Sequence, residues 1–261
     1  MTHAPPDTKR PTTPRLVAIA SGKGGVGKTW FAITLAQALT RAGRRVLVFD
    51  GDLGLANVDV QLGLVPAHDL GGVLGGTVTL EQAVVRHAQG GFDVLAGRSG
   101  SGALAALDIA LLDRALTSLR DLARAYDVVL LDLGAGVERA VRRMAERSDL
   151  LLVVATDEPT SLTDAYAVLK LFYADRPDGE ARLIVNQAST RAAGERTHAA
   201  LTRACTTFLR REPPLAGIIR RDDRVRDAIR RQTPLLTRHP ACSAAMDVEA
   251  TATELMRTVL A

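Results

Sequence analysis

The stretch Ser21-Gly22-Lys23-Gly24-Gly25-Val26-Gly27-Lys28-Thr29-Trp30 concentrates the residues of this chain that could do chemistry. Gly22 through Thr29 fit the spacing G-x-x-x-x-G-K-[ST], and Gly22, Gly24 and Gly27 also fit G-x-G-x-x-G. The second pattern serves dinucleotides, with an acid at the end of the next strand for a ribose; Asp50 stands about there. The residues after Gly27 separate the two. A dinucleotide turn has no use for a Lys-Thr pair. A P-loop needs both, the Lys28 ammonium for β- and γ-phosphate oxygens and the Thr29 hydroxyl for Mg²⁺. Backbone N–H groups of the glycines and of a helix N-terminus complete an anion site. Residues 22–30 are therefore expected to hold a nucleotide, with Val26 and Trp30 included. Asp132, closing the apolar run Val128-Val129-Leu130-Leu131, has the character of a second acid on a buried strand, directed at a metal ion.

Lys23 is surplus to that chemistry. A second ammonium in the same loop repels the first unless it points elsewhere or meets strong negative charge. Of the 33 basic residues only four are lysine, Lys9, Lys23, Lys28 and Lys170, so the chain uses arginine nearly everywhere and keeps lysine twice in this loop. Arginine's planar fork does not replace a compact ammonium among phosphates.

These residues need a scaffold. Apolar runs of strand length at 16–20, 45–50, 92–96, 127–132, 150–155, 182–187 and 215–219 alternate with helical patterns at 30–41, 104–125, 137–146, 161–173, 195–209 and 224–231. Most runs are continuously apolar, as in strands covered on both faces. The alternation predicts an α/β fold, a doubly wound and mostly parallel sheet with helices on both faces. Residues 66–91 read as short helices and loops. A proline-rich tail over 1–14 should be disordered, leaving 15–261 as a single domain.

Composition narrows the partners. The 261 residues carry nine aromatics, too few for a stacking platform on single-stranded nucleic acid, and a net charge of +4 permits a polyanion without demanding one. Two cysteines make neither a disulfide framework nor a structural zinc site, and Cys205 fits a buried helix face. The tail holds four prolines and no apolar run, unlike a signal peptide, and no stretch approaches the roughly 20 apolar residues of a membrane span. A cytoplasmic protein is expected.

The run Lys23-Gly24-Gly25-Val26-Gly27-Lys28-Thr29 resembles the deviant Walker A motif of the MinD/ParA family of P-loop ATPases, and the resemblance extends from about residue 16 to 236. It implies slow, switch-type ATP hydrolysis with ATP and Mg²⁺, and an ATP-dependent homodimer in which Lys23 reaches the partner's phosphates. It further implies that Asp52 faces the γ-phosphate and orients the attacking water. Asp50, Asp132 and Thr29 would support the metal, Lys28 the phosphates, and Asn186 would contact adenine. The wordings Asp52-Leu53-Gly54-Leu55-Ala56-Asn57-Val58-Asp59 and Glu158-Pro159-Thr160-Ser161-Leu162-Thr163-Asp164-Ala165-Tyr166 are similar to the MinD side of the family, nearest its flagellar-number regulators of the FlhG/FleN type. A role in flagellar number or placement follows from that resemblance, with a flagellar or polar protein partner such as an FlhF-like GTPase. Thr160 or Ser161 is expected to cap the helix that follows.

Three features depart from the family pattern. Leu133 follows Asp132 where many relatives have Ser or Thr; Arg220 stands where Pro is common; and the tail lacks the usual activator motif for the GTPase. The apolar stripe Ala245, Val248, Ala252, Leu255, Met256 and Val259 could serve peripheral attachment to the inner membrane. Its companions Asp247, Glu249 and Glu254 carry the wrong charge for anionic lipid, so packing onto the domain is the expected use. The competing reading is a ParA-like partitioning ATPase gripping nonspecific DNA through Arg139, Arg142, Arg143 and Arg147 or the arginines of 220–231. A salt-bridged surface is the expected use of those arginines.

Overall fold

The computed structural model describes residues 15–97 and 109–260. The expected tail and the start of the helix expected at 104 lie outside them. In chain order the elements are β1 (Arg15–Ser21), α1 (Lys28–Arg41), β2 (Val46–Gly51), α2 (Val58–Leu62), α3 (Leu70–Leu74), α4 (Leu80–Ala83), β3 (Val84–His87) and β4 (Phe92–Leu95). There follow α5 (Ile109–Ala123), β5 (Val128–Ala135), α6 (Arg139–Glu146), β6 (Leu150–Ala155), α7 (Pro159–Asp175), β7 (Ala181–Ala188), α8 (Arg191–Leu209), β8 (Leu215–Arg220), α9 (Arg224–Arg230), α10 (Leu235–Arg238) and α11 (Ser243–Thr258).

The strands form one sheet in the order β3-β4-β2-β5-β1-β6-β7-β8, parallel except for the β3–β4 pair. The expected doubly wound sheet is present. Its strands are apolar throughout because both faces are covered: in β1, Val17 and Ile19 pack toward α1, α10 and α11, and Leu16, Ala18 and Ala20 toward the layer of α5, α6 and α7. Successive side chains of a strand point to opposite faces, so such a strand needs apolar residues at every position.

One element differs from the sequence expectation, and one bears it out. Residues 66–91 contain β3 as well as short helices, an antiparallel edge strand paired from Val84↔Leu95 to His87↔Phe92. The run Val84-Val85-Arg86-His87 is short and half polar, as suits an edge strand, and carries no strong periodic signal. α11 forms around the apolar stripe, which is spent inside the fold: Ala245, Val248, Ala252 and Leu255 are buried in the core shared with α1. The expected packing use is therefore the one observed. No helix among the described residues is long and apolar enough to cross a membrane.

The chain lays β2, β4 and β5 on one side of β1 and β6, β7 and β8 on the other. The loop after β1 thus sits where the winding reverses, at the carboxyl ends of the parallel strands, the crevice in which such sheets take ligands.

Candidate functional site

β1 delivers the chain at Ser21 into the glycine loop, and α1 begins at Lys28. Gly25 (φ +80°) and Gly27 (φ +93°) are left-handed, a region costly for residues with a Cβ. Gly27 occupies the N-cap of α1 without a side-chain cap, and the first turn holds no acid. The leading N–H groups of α1 therefore stay open to an anion. Gly22 meets a different constraint: a Cβ there would lie 2.3 Å from the carbonyl oxygen of Asp164 on α7. A Cβ on Gly24 would meet nothing within 4 Å.

Two acids on neighbouring strands, and Asp52 just after β2, lie beside this loop. Asp50 on β2 and Asp132 on β5 are register partners, and Ile19 of β1 pairs with Asp132 on its other side. Both carboxylates are buried. Burial first, then the charge of Asp50, lifts the Asp132 carboxyl well above the usual range, against the opposing pull of the Thr29 hydroxyl and Lys28. Burial likewise raises Asp50, to about 6, against the backbone donors it accepts. Those donors are Asp52 N on Oδ1 at 3.2 Å and Asn57 and Val58 N on Oδ2, both at 3.0 Å. Asp50 thereby anchors the 52–58 loop. Asp52 reaches over Gly134, where a Cβ would sit 3.4 Å from its carboxylate, and its Oδ1 accepts from Leu55 N at 2.9 Å.

Lys28 is only 8% exposed. Burial lowers its pKa, with Asp132 and then Asp52 acting against that shift. A buried ammonium in the field of two carboxylates, at an uncapped helix start, is prepared for phosphate oxygens. The donor set fits a divalent cation as well. Asp132 Oδ1 is buried with no hydrogen-bond partner, and the Thr29 hydroxyl is near enough to pull the carboxyl's pKa down against burial. A buried orphan oxygen of this kind is costly unless something binds it. Thr29 and Asp132 would hold Mg²⁺, with Asp50 behind them; the ion supplies neutralising charge for the phosphates.

Lys23 takes the other direction. Its Nζ donates to Glu158 Oε2 at 2.5 Å and to Thr160 Oγ1 at 3.3 Å, both at the start of α7. The loop's two lysines therefore face apart, as their mutual repulsion requires. This contact overturns the expected capping role. Glu158 is the N-cap of α7 and makes no side-chain cap, Thr160 meets Lys23, and the Ser161 hydroxyl accepts from Thr156 N at 3.0 Å. Proline at the first position of α7 removes one orphan N–H and weakens the need for a cap.

On the far side of the loop lies a cavity of about 280 Å³ between Gly25, Gly27, Trp30 and Asn186 on one wall and Arg221, Asp222 and Arg226 on the other. Asn186 does not project freely into it. Its Nδ2 donates to the Val26 carbonyl at 2.7 Å and its Oδ1 accepts from Gln187 N at 2.9 Å. Asn186 thus braces the P-loop, with one amide hydrogen left for a base. Arg220 is tied to α11 by a forked pair with Asp247 at 2.8 and 2.9 Å. Buried Leu133 continues the core rather than offering a polar contact.

Sequence reading missed Glu158 as the partner of Lys23 and Asp164 as the neighbour of Gly22. Both belong to a segment noticed only for its wording, and no local spacing places α7 beside the glycine loop. Most of the first arginine cluster is a paired surface: Arg142 bonds Asp175, Arg143 bonds Asp113 and Glu146, and Arg147 lies near Asp113, while in the second cluster Arg220, Arg224 and Arg231 meet Asp247, Asp222 and Asp227. Cys205 is buried, its thiol pushed up to about 11.

Comparison with known proteins agrees with this geometry. The CobQ/CobB/MinD/ParA nucleotide binding domain family matches residues 17–235. The antiactivator FleN of Pseudomonas aeruginosa is 34% identical over 91% of this chain and 85% of its own length. The flagellum site-determining protein YlxH of Helicobacter pylori is 32% identical over 60% of this chain and 53% of its own. The septum site-determining protein MinD of Pyrococcus horikoshii, solved with Mg-ADP, superposes with a TM-score of 0.79 at 25% identity, covering 95% of this chain and 99% of that one.

Proposed function

Since this chain belongs to the CobQ/CobB/MinD/ParA family and is an ATPase that uses ATP and Mg²⁺, we propose that it works as an ATP-dependent dimerising switch controlling flagellar number or placement. In this reading Lys28, Thr29 and the loop glycines hold the triphosphate and its metal, Asp52 orients the water that attacks the γ-phosphate, and Asn186 meets adenine. Lys23 serves a second copy across the dimer. Hydrolysis separates the pair and ends its hold on a partner.

The observation that carries the reading is the divergence of the two lysines. Lys28 is buried toward the chain's own acids, whereas Lys23 is turned outward on the rim with its side chain 40% exposed. Exposed apolar residues beside the phosphate site support a partner surface there: Leu55 follows Asp52 by three positions and is 74% exposed, and Val137 flanks Gly136 at 40%. The flagellar role draws on the likeness to FleN and YlxH. The partner would be a flagellar or polar protein, an FlhF-like GTPase among the candidates. In this reading the protein is cytoplasmic with peripheral attachment at the inner membrane as the alternative, and the buried α11 stripe does not support that stripe as the attachment.

The partitioning alternative finds less support, because three of the four arginines it would use near α6, Arg142, Arg143 and Arg147, are paired with carboxylates within the chain. Light scattering of the Asp52→Ala variant tests the reading. With Mg-ATP it should remain a stable dimer, and cells producing it should show an altered flagellar count. A protein that stays monomeric in ATP would overturn the switch.

A further inference from the structure

We propose that Glu158 is a positioning residue that holds Lys23 against α7 in the single chain and so sets the threshold for ATP-dependent pairing with a second copy. The inference rests on the dimer reading above, in which Lys23 crosses to the partner's phosphates. Four observations support it.

The direction of Lys23 is imposed by its backbone. The Ser21 hydroxyl donates to the Lys23 carbonyl at 2.7 Å, and Gly22 presses on Asp164 so closely that no Cβ fits between them. The lysine therefore leaves the loop alongside α7, where Glu158 and Thr160 receive it at 2.5 and 3.3 Å. Glu158 in turn forgoes an available role. At the N-cap of α7 a carboxylate is favoured on the exposed N–H groups of the first turn, yet Glu158 makes no cap bond and spends its charge on Lys23.

The tie is also releasable. Lys23 and Glu158 side chains are 40% and 59% exposed, and ion pairs so open to water hold weakly. A triphosphate offers several negative charges against one carboxylate, so exchange of Glu158 for a partner's phosphates runs downhill once nucleotide is bound. Until then the pair taxes dimerisation, because only chains with Lys23 free can cross. Finally, α7 is the element that carries Glu158, so anything that shifts the start of α7 changes how readily Lys23 is released.

Sedimentation of the full chain with Mg²⁺ and a non-hydrolysable ATP analogue tests the proposal. Glu158→Gln should tighten the dimer about three- to tenfold, the range expected for an exposed pair plus its repulsion of phosphate. Affinity of the monomer for the analogue, read at low protein concentration, should stay within twofold of the unmodified protein by this same argument. Glu158→Asp, with a shorter reach, should fall between. In the Lys23→Ala background, Glu158→Gln should have no further effect. If the unmodified protein dimerises through Lys23 and Glu158→Gln leaves that dimer equal or weaker, the latch is overturned and the switch survives. If Lys23→Ala dimerises as well as the unmodified protein, or neither dimerises, the switch reading itself falls and takes the latch with it.

Discussion

At the carboxyl edge of the sheet Lys28, Asp50 and Asp132 are ionisable groups withdrawn from water, and Asp132 Oδ1 has no hydrogen-bond partner. On α6 the charges of Arg142, Arg143 and Arg147 stand in water with carboxylates beside them. The two regions use the same kinds of residue for opposite ends. The surface pairs satisfy one another and leave nothing for a ligand. Burial raises the affinity of both buried acids for a proton or a cation, with the charge of Asp50 adding to it at Asp132 and that of Asp52 at Asp50. Function here is marked by charge that the fold leaves unsatisfied, not by charge density.

Removing the buried ammonium should test that contrast most severely. Lys28→Met keeps the length of the side chain and removes its charge. Mg-ATP affinity should drop by about 100-fold or more, the loss of several charge-assisted contacts, while the protein still folds. A fluorescent-nucleotide titration within threefold of the unmodified protein would erase the distinction between the regions.

The next largest effect concerns Asp132. Its folded pKa, about 8, and that of Asp50, about 6, lie above the ordinary carboxyl value. Between pH 4 and pH 8 the folded chain therefore retains protons that the unfolded chain has released. Stability without ligand should fall as pH rises through that window, by at most about 1.4 kcal/mol per pH unit for each retained proton. Asp132→Asn should flatten the slope, melt higher than the parent at pH 8 and lose the benefit of Mg²⁺ for nucleotide binding. A melting profile rising from pH 5 to pH 8 would contradict it. The smallest effect should come from the surface. Arg142→Ala should move the melting temperature by no more than about 2 °C, with nucleotide affinity unchanged in the same titration; a large loss of affinity would mean that α6 feeds the site.

Much of the site was legible because it is local. A P-loop reads as one because its glycines, lysine and threonine must fall on consecutive turns of backbone, and the strand before and helix after show in the apolar pattern. Asp132 was legible as the polar end of an apolar run. Lys23 was legible as an anomaly, but its partner was not: Glu158 lies 135 residues away and has no sequence signal of its own. Asn186 shows a subtler limit. The sequence offers its amide as a donor and an acceptor, but its hold on the Val26 carbonyl depends on β7 lying two strands from β1. β3 was missed because an edge strand of four residues needs no apolar face and so carries little periodicity.

The sequence by itself determined a loop suited to a phosphate chain at the end of the first strand, since that pattern is written in contiguous residues whose spacing the backbone alone enforces. It also determined the layered α/β fold, because burial on both faces forces every strand position to be apolar. Only the tertiary structure decided which charges are spent and which are left open. Strand order brought Asp50 against Asp132, α7 met the glycine loop and turned Lys23 toward Glu158, and helix packing paired the arginines. Those outcomes depend on distances between segments far apart in the chain, and no local pattern encodes them.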